Sequence, residues 1–159
     1  MVQRMLVCAA LLLALACASC DVNSTLTGSL DDLEVSLAEG MIVSDQMPIV
    51  PPDPVTCTLT VLVRNTSSSS TTLGVYLPTA EVRRTSTGES LGTFAFSSDW
   101  DGRIAPGETD TVRLTKNRSV TPISPRPCGE YLDLILHVRN PSMSVKSVTF
   151  DSLTLYCVY

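Results

Sequence analysis

Beyond its first twenty residues the chain is governed by one pattern: apolar side chains recur at every second position. Val55, Cys57, Leu59, Val61 and Val63 alternate with Thr56, Thr58, Thr60, Leu62 and Arg64. Leu132, Leu134, Leu136 and Val138 alternate with Tyr131, Asp133, Ile135, His137 and Arg139. Shorter runs follow the same rule at Leu33, Val35 and Leu37, at Leu73, Val75 and Leu77, at Phe94 and Phe96, and at Val112 and Leu114. Successive side chains of an extended chain point to opposite faces, so this period marks strands with one buried face. The 3.6-residue period of an amphipathic helix does not appear after the N-terminal run.

The last run, Lys146–Tyr159, changes parity once. Val148 and Phe150 share one parity, and Leu153, Leu155 and Cys157 share the other. A one-residue bulge at Asp151-Ser152 restores a common face. An antiparallel hairpin with the preceding run then sets Val138 opposite Val148, Leu136 opposite Phe150, Leu134 opposite Leu153, and Leu132 opposite Leu155. Every pair is apolar, as a core face requires. The breaks between runs carry turn chemistry: Ser67–Thr72, Thr87-Gly88-Glu89, Asp101-Gly102 and Pro106-Gly107-Glu108. The expected fold is all-β, an antiparallel two-sheet sandwich of about seven to nine short strands, with a small closed barrel as the alternative.

The N-terminus reads differently. Arg4 precedes the apolar run Met5–Ala16, and small residues follow at Cys17-Ala18-Ser19-Cys20. A basic start, an apolar core of about 7–15 residues and a small-residue cleavage site make a secretory signal. The run falls short of the ~20 apolar residues that comfortably span a bilayer. Ala18-Ser19-Cys20 resembles the end of a bacterial lipobox. The resemblance implies cleavage after Ser19 and lipidation of Cys20, the first residue of the mature chain. Cys17 stands where that motif usually has an aliphatic residue. Ala14-Leu15-Ala16 offers a second cleavage site, before Cys17. Asp21 resembles the inner-membrane retention signal of enteric lipoproteins. The chain thus divides into a signal helix at 1–19, a polar tether at 20–30 and one domain at 31–159.

Of the six Cys, Cys8 and Cys17 leave with the signal and Cys20 takes lipid. Cys57, Cys128 and Cys157 remain, an odd number in an oxidising compartment. Cys128 enters the first strand of the last hairpin and Cys157 nearly ends the second. In register they lie opposite or one diagonal apart, which favours a Cys128–Cys157 disulfide. A bridge to Cys57 and no bridge at all are the alternatives. Cys57 lies on the apolar parity of its strand and reads as a small buried hydrophobe. Without lipid on Cys20, four Cys could make two bridges.

Leu59–Asn65 (LTVLVRN), Gly88–Gly92 (GESLG) and Ile104–Val112 (IAPGETDTV) resemble the immunoglobulin-like sandwich of bacterial surface proteins. The late-embryogenesis-abundant, water-stress type of sandwich is similar, including Arg139-Asn140-Pro141-Ser142. The resemblance implies an immunoglobulin-like fold and non-catalytic binding or structural work. Val63-Arg64-Asn65-Thr66-Ser67 and Val138-Arg139-Asn140-Pro141-Ser142 also share an ending. Convergence explains it better than duplication, because Asn opens turns through a side-chain hydrogen bond to nearby backbone.

Candidate chemistry is sparse. The net charge of −5, from 16 acids against 11 bases, argues against nucleic acid or an anionic membrane surface as an electrostatic partner. Asp99-Trp100-Asp101-Gly102 has the look of a calcium loop but lacks the further alternate oxygen ligands, so a solvated turn with a half-buried Trp is the better reading. Trp100 could also serve as a contact residue for a protein partner. Gly88-Glu89-Ser90-Leu91-Gly92 matches the nucleophile elbow by letter, and Asp133 and His137 follow in hydrolase order. That elbow needs a strand-to-helix turn in an α/β sheet, and no helix follows. Arg83, Arg84, Arg113 and Arg118 could form a basic spot, although neighbouring acids favour a mixed surface. Asn23, Asn65 and Asn117 head glycosylation triplets, which matter only in a eukaryotic source.

The expectation is a non-enzymatic lipoprotein of the cell envelope, with no metal and no cofactor. Its partner is the membrane, through lipid on Cys20, on the periplasmic or extracellular side. A freely secreted recognition domain or a protein inhibitor is the alternative.

Overall fold

A computed structural model of the chain describes residues 29–46, 55–117 and 128–159. The expected signal helix, Cys20, Asn23 and Arg118 lie outside these residues. A short 3₁₀ turn, η1 (Leu30–Asp32), leads into seven strands: β1 (Leu33–Asp45), β2 (Val55–Asn65), β3 (Tyr76–Arg84), β4 (Ser90–Ser97), β5 (Thr109–Lys116), β6 (Tyr131–Arg139) and β7 (Val145–Val158). The all-β expectation holds.

The strands form a closed, mixed barrel in the order β1-β2-β5-β4-β3-β6-β7, with β7 returning to β1. Neighbours are antiparallel except β1 and β7, which run parallel. Two long ladders, β1-β2-β5 and β4-β3-β6-β7, make up most of the ring. Two short seams join them. β4 meets β5 only at Phe96↔Lys116 and Ser97↔Thr115. β1 meets β7 only from Ile42↔Leu155 to Asp45↔Val158. The hydrogen-bonded neighbours therefore close into one ring rather than parting clearly into the two sheets of a sandwich.

The interior follows the alternation. Val55, Cys57, Leu59, Val61 and Val63 of β2 and Leu132, Leu134, Leu136 and Val138 of β6 are all buried. They share one core with Phe94, Phe96, Val112, Leu114 and Leu155. Leu30, the last residue of the expected tether, is buried as well. Its turn is capped by Ser29, whose hydroxyl accepts the Asp31 N–H at 3.1 Å.

In β3 and β1 the alternation breaks at identifiable points. The run at Leu73–Leu77 becomes a longer strand, β3, that continues to Arg84 and buries Ala80 and Val82. Its register with β6 shifts between Tyr76 and Thr79, at Pro78. Proline lacks the N–H of a regular ladder, so the strand bulges there and resumes on the other parity. In β1 a bulge between Leu37 and Glu39 brings Gly40 inward. A Cβ at Gly40 would lie 2.7 Å from Leu153 Cδ2.

The final hairpin carries the expected bulge: β7 advances from Phe150 to Leu153 while β6 moves only from Leu134 to Leu132. Ser152 takes a positive φ of 60° there. The register differs from the expected one by two residues. Leu136 faces Val148, Leu134 faces Phe150 and Leu132 faces Leu153. A two-residue slip keeps every side chain on its face, so the apolar pattern cannot choose between these registers. The turn chooses. Asn140 Oδ1 accepts the Ser144 N–H at 3.0 Å, and Asn140 O accepts the Met143 N–H at 3.0 Å. This tightens the tip and pairs Arg139 with Val145.

Asn65 does the corresponding work at the end of β2. It is fully buried, its Nδ2 donates to Ser70 O (2.7 Å) and Ile104 O (3.2 Å), and its Oδ1 accepts the Ser67 N–H (3.0 Å). The two similar chain endings thus both turn through the side chain of a buried Asn. With its amide committed in the interior, Asn65 is not a glycan acceptor in the folded domain.

Cys128 and Cys157 form a disulfide, with Cα atoms 5.7 Å apart. The loop it closes spans a sequence separation of 29. Replacing both cysteines by Ala is expected to lower unfolding free energy by roughly 3 kcal/mol, because the unfolded chain regains loop entropy. Urea denaturation measures the shift. Asn65→Ala is expected to cost about 1–3 kcal/mol in the same assay, since Ser70 O and the Ser67 N–H lose their partner while Ile104 O keeps the Thr72 N–H.

Candidate functional site

A concavity lies where the β4–β5 seam ends. Antiparallel pairing continues to Asn117, whose N–H reaches Ala95 O at 2.8 Å, but stops at Ser97↔Thr115 on the other side. From Ser98 onward the chain leaves β5. The gap is an open groove of about 460 Å³ lined by Ser97, Ser98, Asp99, Trp100, Thr111 and Arg113.

The loop that makes this groove is held firmly. Trp100 packs half-buried against the core, and its Nε1–H donates to Asp110 Oδ2 at 3.0 Å. Asp101 Oδ1 accepts the Arg103 N–H at 3.0 Å, a local turn bond. Gly102 has φ +74°, and a Cβ there would sit 2.2 Å from Val75 O. Only glycine allows the loop to lie this close to the strand entry. Ile104 and Thr72 then bridge main chain to main chain, with N–H···O distances of 3.0 and 3.2 Å. Asp99-Trp100-Asp101-Gly102 is therefore a turn with a half-buried Trp, as its sequence suggests. Among the described residues, no cluster of three or more His, Cys, Asp or Glu is placed to hold a metal ion. The groove offers an indole edge, hydroxyls, one guanidinium and one carboxylate, a set suited to hydrogen bonding and stacking.

Ser90, Asp133 and His137 do not assemble into a relay. Asp133 Oδ1 accepts the Thr85 hydroxyl at 2.6 Å and the Ser152 N–H at 3.0 Å. His137 Nδ1 lies 3.1 Å from Thr79 Oγ1. Ser90 pairs across the sheet with Arg83, beside Glu81. Glu81 is held by Arg83, whose Nε and Nη2 each donate to one carboxylate oxygen at 3.0 Å. This fork, then the Ser90 hydroxyl, holds the Glu81 carboxyl below its usual pKa, with the charges of Arg83 and His137 adding to the effect. Glu81 was not singled out from sequence. Its signal is the Glu-x-Arg spacing, which places both side chains on one strand face.

The basic spot does not form among the described residues. Arg83 pairs with Glu81, while Arg84 pairs with Glu89 and Glu130, both at 2.7 Å. Arg113 stands apart, in the β5 groove.

Cys57 is free and buried. Burial pushes its thiol pKa up to about 12, against the opposing charge of Lys116. Such a thiol is inert at neutral pH, which fits the reading of Cys57 as a small apolar filler.

The Glu81–Arg83 fork is expected to show in titration. Its stabilising contribution is present above the ordinary carboxylate range and is lost as pH falls through the lowered pKa of Glu81. NMR of the Glu81 carboxyl should report a midpoint below that of an ordinary glutamate. Arg83→Ala should return it upward.

No family model matches the chain, and no curated protein matches it.

Proposed function

We propose that the protein is a non-enzymatic, membrane-anchored lipoprotein of the bacterial cell envelope. Its ectodomain, a small structural or binding module, is an immunoglobulin-like two-sheet sandwich whose corners are stitched by the β4–β5 and β1–β7 seams. One conjunction carries the reading: an apolar run that ends in Ala18-Ser19-Cys20, directly ahead of an all-β domain closed by the Cys128–Cys157 disulfide. Structural disulfides persist in oxidising compartments outside the cytoplasm, where such a signal delivers its cargo. The sandwich reading is supported by the two long ladders and by the brevity of the seams between them. The non-catalytic reading is supported by the separate commitments of Ser90, Asp133 and His137.

A freely secreted recognition domain is the second reading. The groove at Trp100 favours it, because an indole beside hydroxyls and a guanidinium is typical of a contact surface. The intact mass of the mature protein separates the two. The lipoprotein is expected in membranes, beginning at Cys20 and heavier than its polypeptide by its acyl groups, and Cys20→Ala should abolish radiolabelled palmitate uptake. Unacylated mature protein in the medium would overturn the lipoprotein reading and favour the secreted one.

A further inference from the structure

We propose that one end of the domain is a lipid-facing collar, in which Tyr76, Met143 and Val145 enter the headgroup region of a bilayer and Arg139 binds a phospholipid phosphate. The inference rests on the lipoprotein reading and extends it to the domain itself.

The collar is a cross-strand row. Tyr76 of β3 pairs with Arg139 of β6, and Arg139 pairs with Val145 of β7, so the three side chains share the outer face. Tyr76 is 43% exposed, Val145 51% and Met143, at the hairpin tip, 83%. Tyrosine and aliphatic side chains beside a cation match the composition of membrane interfaces.

Arg83 and Arg84, on the same ladder as Arg139, each hold a carboxylate. Arg139 makes no ion pair among the described residues, and its buried Nε has no hydrogen-bond partner among them. Arg139 is half-buried, and a phosphate is the natural complement of a guanidinium that holds no carboxylate.

The chain enters the domain at this end. Ser29, Leu30 and Asp31 line a groove together with Asn140, Ser142, Ser144, Val145 and Lys146. Lys146 Nζ clasps the entry by donating to Leu30 O (3.2 Å) and Leu33 O (2.6 Å). Only residues 21–28 separate Cys20 from Ser29. At ~3.3–3.6 Å per residue their greatest reach is about 30 Å, so a lipidated Cys20 keeps this groove near the bilayer. Asp31 and Asp32 sit on the entry turn, which favours contact with individual headgroups over attraction to a broad anionic field. Tyr131, Tyr156 and Val158 are exposed as well. They lie on the strand ends beside the disulfide, where Arg84 is already paired with Glu89 and Glu130 and the chain does not enter.

The test uses the full, processed protein purified from membranes and placed in phosphatidylethanolamine–phosphatidylglycerol vesicles with brominated acyl chains. In a Trp100→Phe background, Met143→Trp supplies a reporter at the tip and Thr87→Trp supplies one on the β3–β4 turn. The expected result is blue-shifted, strongly quenched emission at 143, none at 87, and loss of the quenching at 143 when Arg139→Gln is added. Hydrogen exchange of the unsubstituted chain gives the same reading without relying on Trp100→Phe. Amides of Ser142–Val145 should slow several-fold on vesicles, relative to Cys20→Ala protein free in solution. Equal, unquenched reporters and unchanged exchange in a protein that carries its acyl mass would overturn the collar and leave the anchor standing. Absence of the acyl mass would overturn both.

Discussion

Leu59 of β2, Phe94 of β4, Leu114 of β5, Leu134 of β6 and Leu155 of β7 meet in one interior sealed from water. Every other feature of the domain depends on that shared burial. Hydrophobic association has no direction, but the strand's period of two gives it one. Each strand contributes a single face, and the faces must converge. Where two strands converge without full pairing, the ladder thins to a seam. The two-pair contact of β4 with β5 and the four-pair contact of β1 with β7 are the consequence.

The polar groups inside the barrel work against this economy unless each finds a partner. Asn65 and Asn140 solve the problem at the strand ends, where the chain must turn and main-chain groups lose their ladder. Asn65 ties the Ser67–Ser70 loop to Ile104, and Asn140 folds the β6–β7 tip. The seam at β4–β5 releases its polypeptide into the Trp100 loop, and Gly102 lets that loop lie on Val75. A groove arises there because a short seam leaves space beside β5 that no strand fills.

The proposed roles follow from the same geometry. The chain enters beside the β6–β7 tip, next to a row that pairs tyrosine, arginine and valine. The disulfide closes the far end of that hairpin, joining the start of β6 to the end of β7. The Trp100 loop lies toward the same end as the tip, since Gly102 O accepts the Val75 N–H beside Tyr76.

Periodicity alone located the strands around Leu59, Phe94, Leu114 and Leu134, identified their buried parity, and placed the Asp151-Ser152 bulge. These are local properties, since a strand's faces are defined by its own alternation. β3 beyond Pro78 was not legible, because a proline bulge reverses parity in mid-strand and so hides Ala80 and Val82. The hairpin register escaped for another reason: a slip of two leaves every face unchanged, and only the hydrogen bonds of Asn140 distinguish the alternatives. Glu81 with Arg83 was readable as a spacing, whereas their meeting with Ser90, the closure of the ring, the groove at Trp100 and the Tyr76–Arg139–Val145 row all join residues distant along the chain. Which strand lies beside which is settled by packing of the whole interior, and that is a property no single segment carries.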